Sequence, residues 1–159
     1  MSETPTYALG TTVSVERSRF ELDALLGKHG ATQRGVLHDE DNRRACCVFV
    51  LGGRKYRLDV PMPTEAECRK RIGRYQGSYA ERLKKEISQA VRERWRGLLL
   101  LVKAKLEVVR MGASTAEREF LADLVLPNGQ TAHEEIGAYM QKLLRDGYTA
   151  PLALPEGPR

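Results

Sequence analysis

The stretch Ala45-Cys46-Cys47-Val48-Phe49-Val50-Leu51-Gly52-Gly53-Arg54-Lys55-Tyr56-Arg57-Leu58-Asp59-Val60 decides the fold. Two runs of strand-forming residues flank a pair of glycines. A two-residue glycine linker supplies the positive φ angles that a tight hairpin needs. The second run alternates: Tyr56, Leu58 and Val60 fall on one face, and Lys55, Arg57 and Asp59 on the other. That period of two marks a half-buried strand. The first run is apolar at every position, which predicts a strand covered on both faces.

Working outward, a third strand is expected near 33–38, joined to the first run through the turn formers His38-Asp39-Glu40-Asp41-Asn42. Before it, Ser14 is placed to cap a helix running to about His29. Phe20, Leu22, Leu25 and Leu26 form its apolar side, and Gly30 is the stop. After the hairpin, Pro61 and Pro63 end the third strand. Residues 61–79 read as a mobile loop, with Thr64 and Glu67 spaced as a capping box for a short helix inside it. From Tyr79 to Met111 no proline intrudes and Gly97 is the only glycine, so one long helix is expected, ended by Gly112. Two shorter helices follow, one opened by Ser114 with Glu117 and running to about Leu124, the other opened by Thr131 with Glu134 and running to about Arg145. Leu126-Pro127-Asn128-Gly129 is the turn between them.

The expected fold class is therefore α+β: an N-terminal helix, a three-stranded antiparallel sheet, a long central helix and two shorter C-terminal helices. Its 159 residues suit one domain, with flexible tails at 1–9 and 151–159. Trp95 and Leu98 to Val102 are expected in the core against Val48, Val50, Leu58 and Val60. The run from Leu98 to Val102 covers more of the helix circumference than a small sheet hides. A homo-oligomer is one way to cover the rest, and the C-terminal helices are another.

Neither this run nor Ala45 to Leu51 approaches the ~20 residues that span a membrane. Residues 1–12 lack the apolar core of a signal peptide. A cytoplasmic protein with no membrane partner is expected. The three cysteines, Cys46, Cys47 and Cys68, form no CxxC pair and read as reduced core residues. No HExxH, GxSxG, GxxxxGK[ST] or GxGxxG occurs. Asp39-Glu40-Asp41 lacks the ligand spacing of a calcium loop and reads as a turn. The sequence thus points to no catalytic residue, no metal and no cofactor.

Charge is the feature that points to a partner. The chain carries a net +5, but residues 54–96 hold 13 basic and 6 acidic side chains, a net of +7. Local positive charge is the usual footprint of a polyanion, and a solvated surface is the plain alternative. The candidate nucleic-acid contacts are Arg54, Lys55 and Arg57 at the hairpin, with Arg69, Lys70, Arg71, Arg74 and Tyr75 in the loop that follows. Arginine beside tyrosine favours single strands, since phosphates pair with guanidinium and unpaired bases stack on rings. On the long helix, Lys85, Arg92, Arg96, Lys103 and Arg110 fall in one stripe, interrupted by Leu99 and flanked by Glu107, which reads as a solvent face.

Two sets of segments resemble known proteins. Thr11-Thr12-Val13-Ser14-Val15-Glu16-Arg17-Ser18-Arg19 is the first. Residues 94–107, with Glu119-Phe120-Leu121-Ala122 and Val125-Leu126-Pro127-Asn128-Gly129, are the second. Together they resemble a group of small proteins of phages, prophages and mobile elements, a likeness that implies a setting and no particular activity. The order of helix, three antiparallel strands and long helix is similar to the core of Rad52-like and RecT-like single-strand annealing proteins. That likeness implies DNA binding along a basic groove and assembly into rings or filaments. The functional expectation is a non-enzymatic nucleic-acid-binding protein, single strands favoured, with a role in recombination or annealing. The alternative is a protein-binding module, such as a phage-encoded inhibitor of a host defence or regulatory protein.

Overall fold

The computed structural model describes residues 7–39, 43–73 and 77–145. Helix α1 spans Val15–Lys28, and strands β1, β2 and β3 span Thr32–Asp39, Arg44–Leu51 and Arg54–Pro61. Helix α2 is Glu65–Ile72, α3 Tyr79–Arg110, α4 Ala116–Glu119 and α5 Ala132–Arg145, with a 3-10 turn at Leu121–Asp123 before α5. The α+β architecture is the expected one. Of the expected tails, residues 1–6 and 151–159 lie outside the described residues, as do Glu40 and Asp41 of the acidic turn.

The sheet is antiparallel in the order β1-β2-β3. Gly52 and Gly53 have φ of +58° and +75°, and they place Leu51 opposite Arg54. From that register everything else follows. Phe49 pairs with Tyr56, Cys47 with Leu58 and Ala45 with Val60. These six residues are buried and form the inner face. A bulge between Thr32 and Gly35 shifts the pairing of β1 with β2; Gln33 there takes a φ of +48°.

The expectation of a β2 covered equally on both faces is corrected. Cys46, Val48 and Val50 lie on the outer face and are only half-buried. Their cross-strand neighbours are Asp59, Arg57 and Lys55, whose aliphatic stems can lie along apolar neighbours. Val48 and Val50 therefore do not pack against the long helix, whereas Leu58 and Val60 join its core cluster.

Helices α1 and α3 lie against the inner face. Ser14 Oγ accepts from the Arg17 amide to start α1, and Gly30, at φ +82°, lets the chain turn away after it. Leu22 and Leu26 are buried, but Phe20 is 74% exposed. Two residues advance a helix by about 200°, so Phe20 lies opposite Leu22; it does not belong to the apolar side.

Helix α3 buries two different faces along its length. In its first half Ala90 and Glu93 are buried, turned towards α2 and the N-terminal segment. From Trp95 onward the buried positions are Trp95, Leu99, Val102 and Leu106, turned towards the sheet. At 100° per residue the two sets lie on nearly opposite sides. This is why the middle of the helix reads as apolar all round. Leu98 and Leu100 are half-buried, and Leu101, expected in the core, is 49% exposed.

Beyond α3, Thr115 rather than Ser114 caps α4, its hydroxyl accepting from the Arg118 amide. The helix stops after four residues, short of the expected Leu124. Phe120 leaves helical geometry there (φ −110°) and packs against the Phe49–Tyr56 pair, at 5.6 Å ring-centroid distance from each. The following segment extends the sheet edge: the Val125 amide donates to the Lys55 carbonyl at 2.9 Å. Thr131 and Glu134 then cap α5 reciprocally as expected.

Among the described residues no helix is long and apolar enough to cross a membrane. The three cysteines are free thiols. Burial pushes the Cys47 thiol up to about 12 and also raises Cys46 and Cys68, so none is a ready thiolate at neutral pH.

Candidate nucleic-acid interface

The segment between β3 and α3 carries a formed helix. Thr64 caps α2: its hydroxyl accepts from the Glu67 amide while the Glu67 carboxylate accepts from the Thr64 amide at 2.8 Å. Cys68 is fully buried on this helix. It fixes which side of α2 faces α3, and hence where each basic residue points.

The sequence-derived candidates divide by partner. Arg71 reaches inward, with its guanidinium 2.9 Å from Glu86 and 2.9 Å from Glu93. Glu93 also accepts from the Gly10 amide at 2.9 Å and from Gln89, and Gln89 donates to the Thr11 carbonyl. This knot ties the N-terminal segment, α2 and α3 together. Burial pushes the Glu93 carboxyl up, but hydrogen bonds from Arg71, Gly10 and Gln89 outweigh it and hold it below its ordinary value. Arg71 is therefore an anchor between helices.

Arg57 is an anchor as well. It lies 2.6 Å from Glu134 and 3.4 Å from Asp59, and it donates to the Gly129 carbonyl at 3.1 Å. It clamps the start of α5 to the outer face of the sheet. Arg54 sits 3.4 Å from Glu117, and Arg69 pairs with Glu65 one turn earlier; both pairs are exposed, where such contacts hold charge only weakly. Lys55 and Lys70 are exposed. Arg74 and Tyr75 lie outside the described residues.

The structure does not gather these residues at one point. The hairpin tip and α2 sit at opposite ends of β3, about 25 Å apart at 3.3 Å per residue. Arg54 and Lys55 form one small group, and Arg69 and Lys70 belong to another. A further basic group lies on the first half of α3. Lys84, Lys85 and Arg92, with Glu81, Arg82, Glu86, Ser88 and Gln89, line an open hollow of about 750 Å³. Arg92 donates to the neutral Gln89 side chain, so its charge is not neutralised. Tyr79 is exposed at the head of the same helix. The stripe on α3 signalled Lys85 and Arg92, whereas Lys84, on another side of the helix, carried no such signal. Further along the stripe Arg96 is held by Glu21 at 2.7 Å and Arg110 by Glu107, so the basic surface fades towards the C-terminal half.

Trp95 is buried, with the Arg19 guanidinium over its ring at 5.4 Å from the centroid. It is core and not a platform for a base. Asp39 pairs with Arg44 at 3.1 Å. Among the described residues no cluster of three metal-ligating side chains forms. Compared with protein-family models, curated proteins and solved structures, the chain matches none of them.

Proposed function

We propose that this chain binds nucleic acid without catalysing a reaction on it. Single strands are the favoured ligand, and the contact surface is the outer side of α2 with the first half of α3. One observation carries the reading: Lys84 and Lys85 are exposed and line one open hollow with Arg92, whose guanidinium meets only a neutral amide. Lysine and arginine side chains attract phosphates through released counterions. Tyr79, at the head of the same helix, is exposed and offers a ring on which an unpaired base stacks. A single-strand binding or annealing role in recombination is the corresponding setting. Arg54 and Lys55 serve as a second, weaker contact for a strand long enough to reach them.

Fluorescence anisotropy with labelled single- and double-stranded oligonucleotides, over a range of salt, tests this. Affinity is expected to fall linearly in log salt. The triple variant Lys70→Glu, Lys84→Glu, Lys85→Glu is expected to bind at least about tenfold more weakly and to flatten the single-strand slope by about 2, at ~0.7 per lost phosphate contact. Its melting temperature should stay nearly unchanged, because exposed charges contribute little to folding. Tyr79→Ala is expected to weaken single strands more than duplex. A wild-type chain that binds neither form at low salt ends the proposal.

A further inference from the structure

Helix α5 begins firmly and ends uncovered. Its first turn is held by Arg57 on Glu134 and by the Asn128 amide, which donates to Glu135 at 2.8 Å. Ala132 is its one buried residue. Beyond it, Ile136, Tyr139, Met140, Leu143 and Leu144 are between 39% and 71% exposed. Ile136, Tyr139, Met140 and Leu143 lie within an arc of about 100°. That is the apolar stripe of a helix that packs on something; among the described elements, the Leu121–Asp123 turn is the one in substantial contact with α5.

The charges beside the stripe say what covers it. Glu135 and Lys142 are seven residues apart, so they fall within about 20° of each other along one edge of the stripe. The Glu135 carboxylate meets only a neutral amide. When two copies of α5 lie antiparallel about a two-fold axis near Tyr139, Glu135 of each faces Lys142 of the other. With the axis at Tyr139, that pair and the pair of Ile136 with Leu143 of the other copy each lie within one residue of direct opposition. A two-fold interface must be self-complementary in this way, with each patch matching itself reversed.

We propose that α5 is a self-association helix and that two copies of this chain pair through it, antiparallel. Five half-exposed apolar side chains per copy give a buried area of roughly 1,000 Å² in total, the low end of specific interfaces. An interface of that size suits a weak, reversible dimer. The surface is separate from the basic residues on α2 and α3, so the dimer and the nucleic-acid reading stand or fall apart.

Sedimentation velocity on the full chain from about 1 to 100 µM, a range that brackets micromolar affinity, tests the proposal. A concentration-dependent monomer–dimer equilibrium is expected. Ile136→Glu is expected to leave a monomer with an unchanged circular dichroism spectrum and melting temperature, since Ile136 is half-exposed in the single chain. Leu101→Glu, on the exposed side of α3, should leave the dimer intact. Glu135→Lys and Lys142→Glu place like charges together in each homodimer, so each variant alone should associate more weakly. Mixed together, they restore both attractive pairs and should dimerise again. A chain that stays monomeric at about 100 µM, a dimer that survives Ile136→Glu or breaks with Leu101→Glu, or a mixture that fails to recover overturns the proposal.

Discussion

Leu101 and Leu106 stand five residues apart on α3, share one side-chain chemistry and have opposite fates. Leu106 is 1% exposed and Leu101 is 49% exposed. Replacing Leu106 with alanine removes the apolar end of a side chain wholly inside the core. At ~0.8 kcal/mol per buried carbon group the transfer loss is about 2.4 kcal/mol. The cavity left behind adds to it, for a total of about 3–4 kcal/mol. At Leu101 only half of that surface is out of water, and solvent fills the space vacated. Alanine also suits a helix slightly better than leucine. The expected cost there is about 0.5–1 kcal/mol. For a chain of this size ~1 kcal/mol moves the melting temperature by about 2–4 °C. Leu106→Ala should therefore melt about 6–16 °C lower, and Leu101→Ala only about 1–4 °C lower. Thermal melts with urea titrations at matched protein concentration measure both, and an unchanged m-value confirms that stability alone has moved. Equal losses at the two positions would refute the rotation of α3 described above.

Glu93→Gln should reduce stability at neutral pH by about 1 kcal/mol, a modest figure because Arg71 is partly open to solvent and keeps Glu86. Because folding holds the Glu93 carboxyl below its ordinary value, its contribution is full above the usual carboxylate range and vanishes as pH falls through the lowered value. The acid limb of stability against pH should thus be shallower in the glutamine variant; an unchanged limb counts against the knot. Ser18→Ala is expected to be neutral or to stabilise by up to about 1 kcal/mol, since the Ser18 hydroxyl is buried with no hydrogen-bond partner among the described residues; a clear loss in urea titration would show that it has one. Gly53→Val should cost at least about 1–2 kcal/mol by forcing a branched residue to positive φ. Gly35→Ala should cost little, because an added Cβ there meets only Val48 at an ordinary 3.8 Å; the same titrations separate the two.

Most motifs that act within a few residues are legible, the Ser114–Glu117 spacing excepted. The glycine pair and the alternation after it fix the β2–β3 register, and Ser14, Thr64 with Glu67, and Thr131 with Glu134 start their helices where the spacing says. What escaped depends on distant partners. Nothing local to Arg71 tells it from Lys70, yet one ties two helices and the other faces solvent. Arg57 reads as a ligand-binding charge until Glu134, far along the chain, is seen beside it. Reversing Arg69, Lys70 and Arg71 together is consequently a poor probe of binding, since it also breaks the Arg71 anchor. Leu101 reads as core only while one hydrophobic period is given to a helix that has two. The cap of α4 lies at Thr115, one residue past the position that the spacing of Ser114 with Glu117 offers.

The change of buried face at Trp95 gives α3 two unequal halves in time as well as in space. Its first half is held by α2, the N-terminal segment and the Glu93 knot, while its second half shares the sheet's core. Backbone amides before Trp95 should accordingly exchange with deuterium through a local opening that releases α2, whereas amides of Leu99, Val102 and Leu106 should wait for global unfolding. One unbroken helix would then belong to two cooperative units. The more readily opened of them is the one that carries Lys84, Lys85 and Arg92, so a bound strand should slow exchange there first.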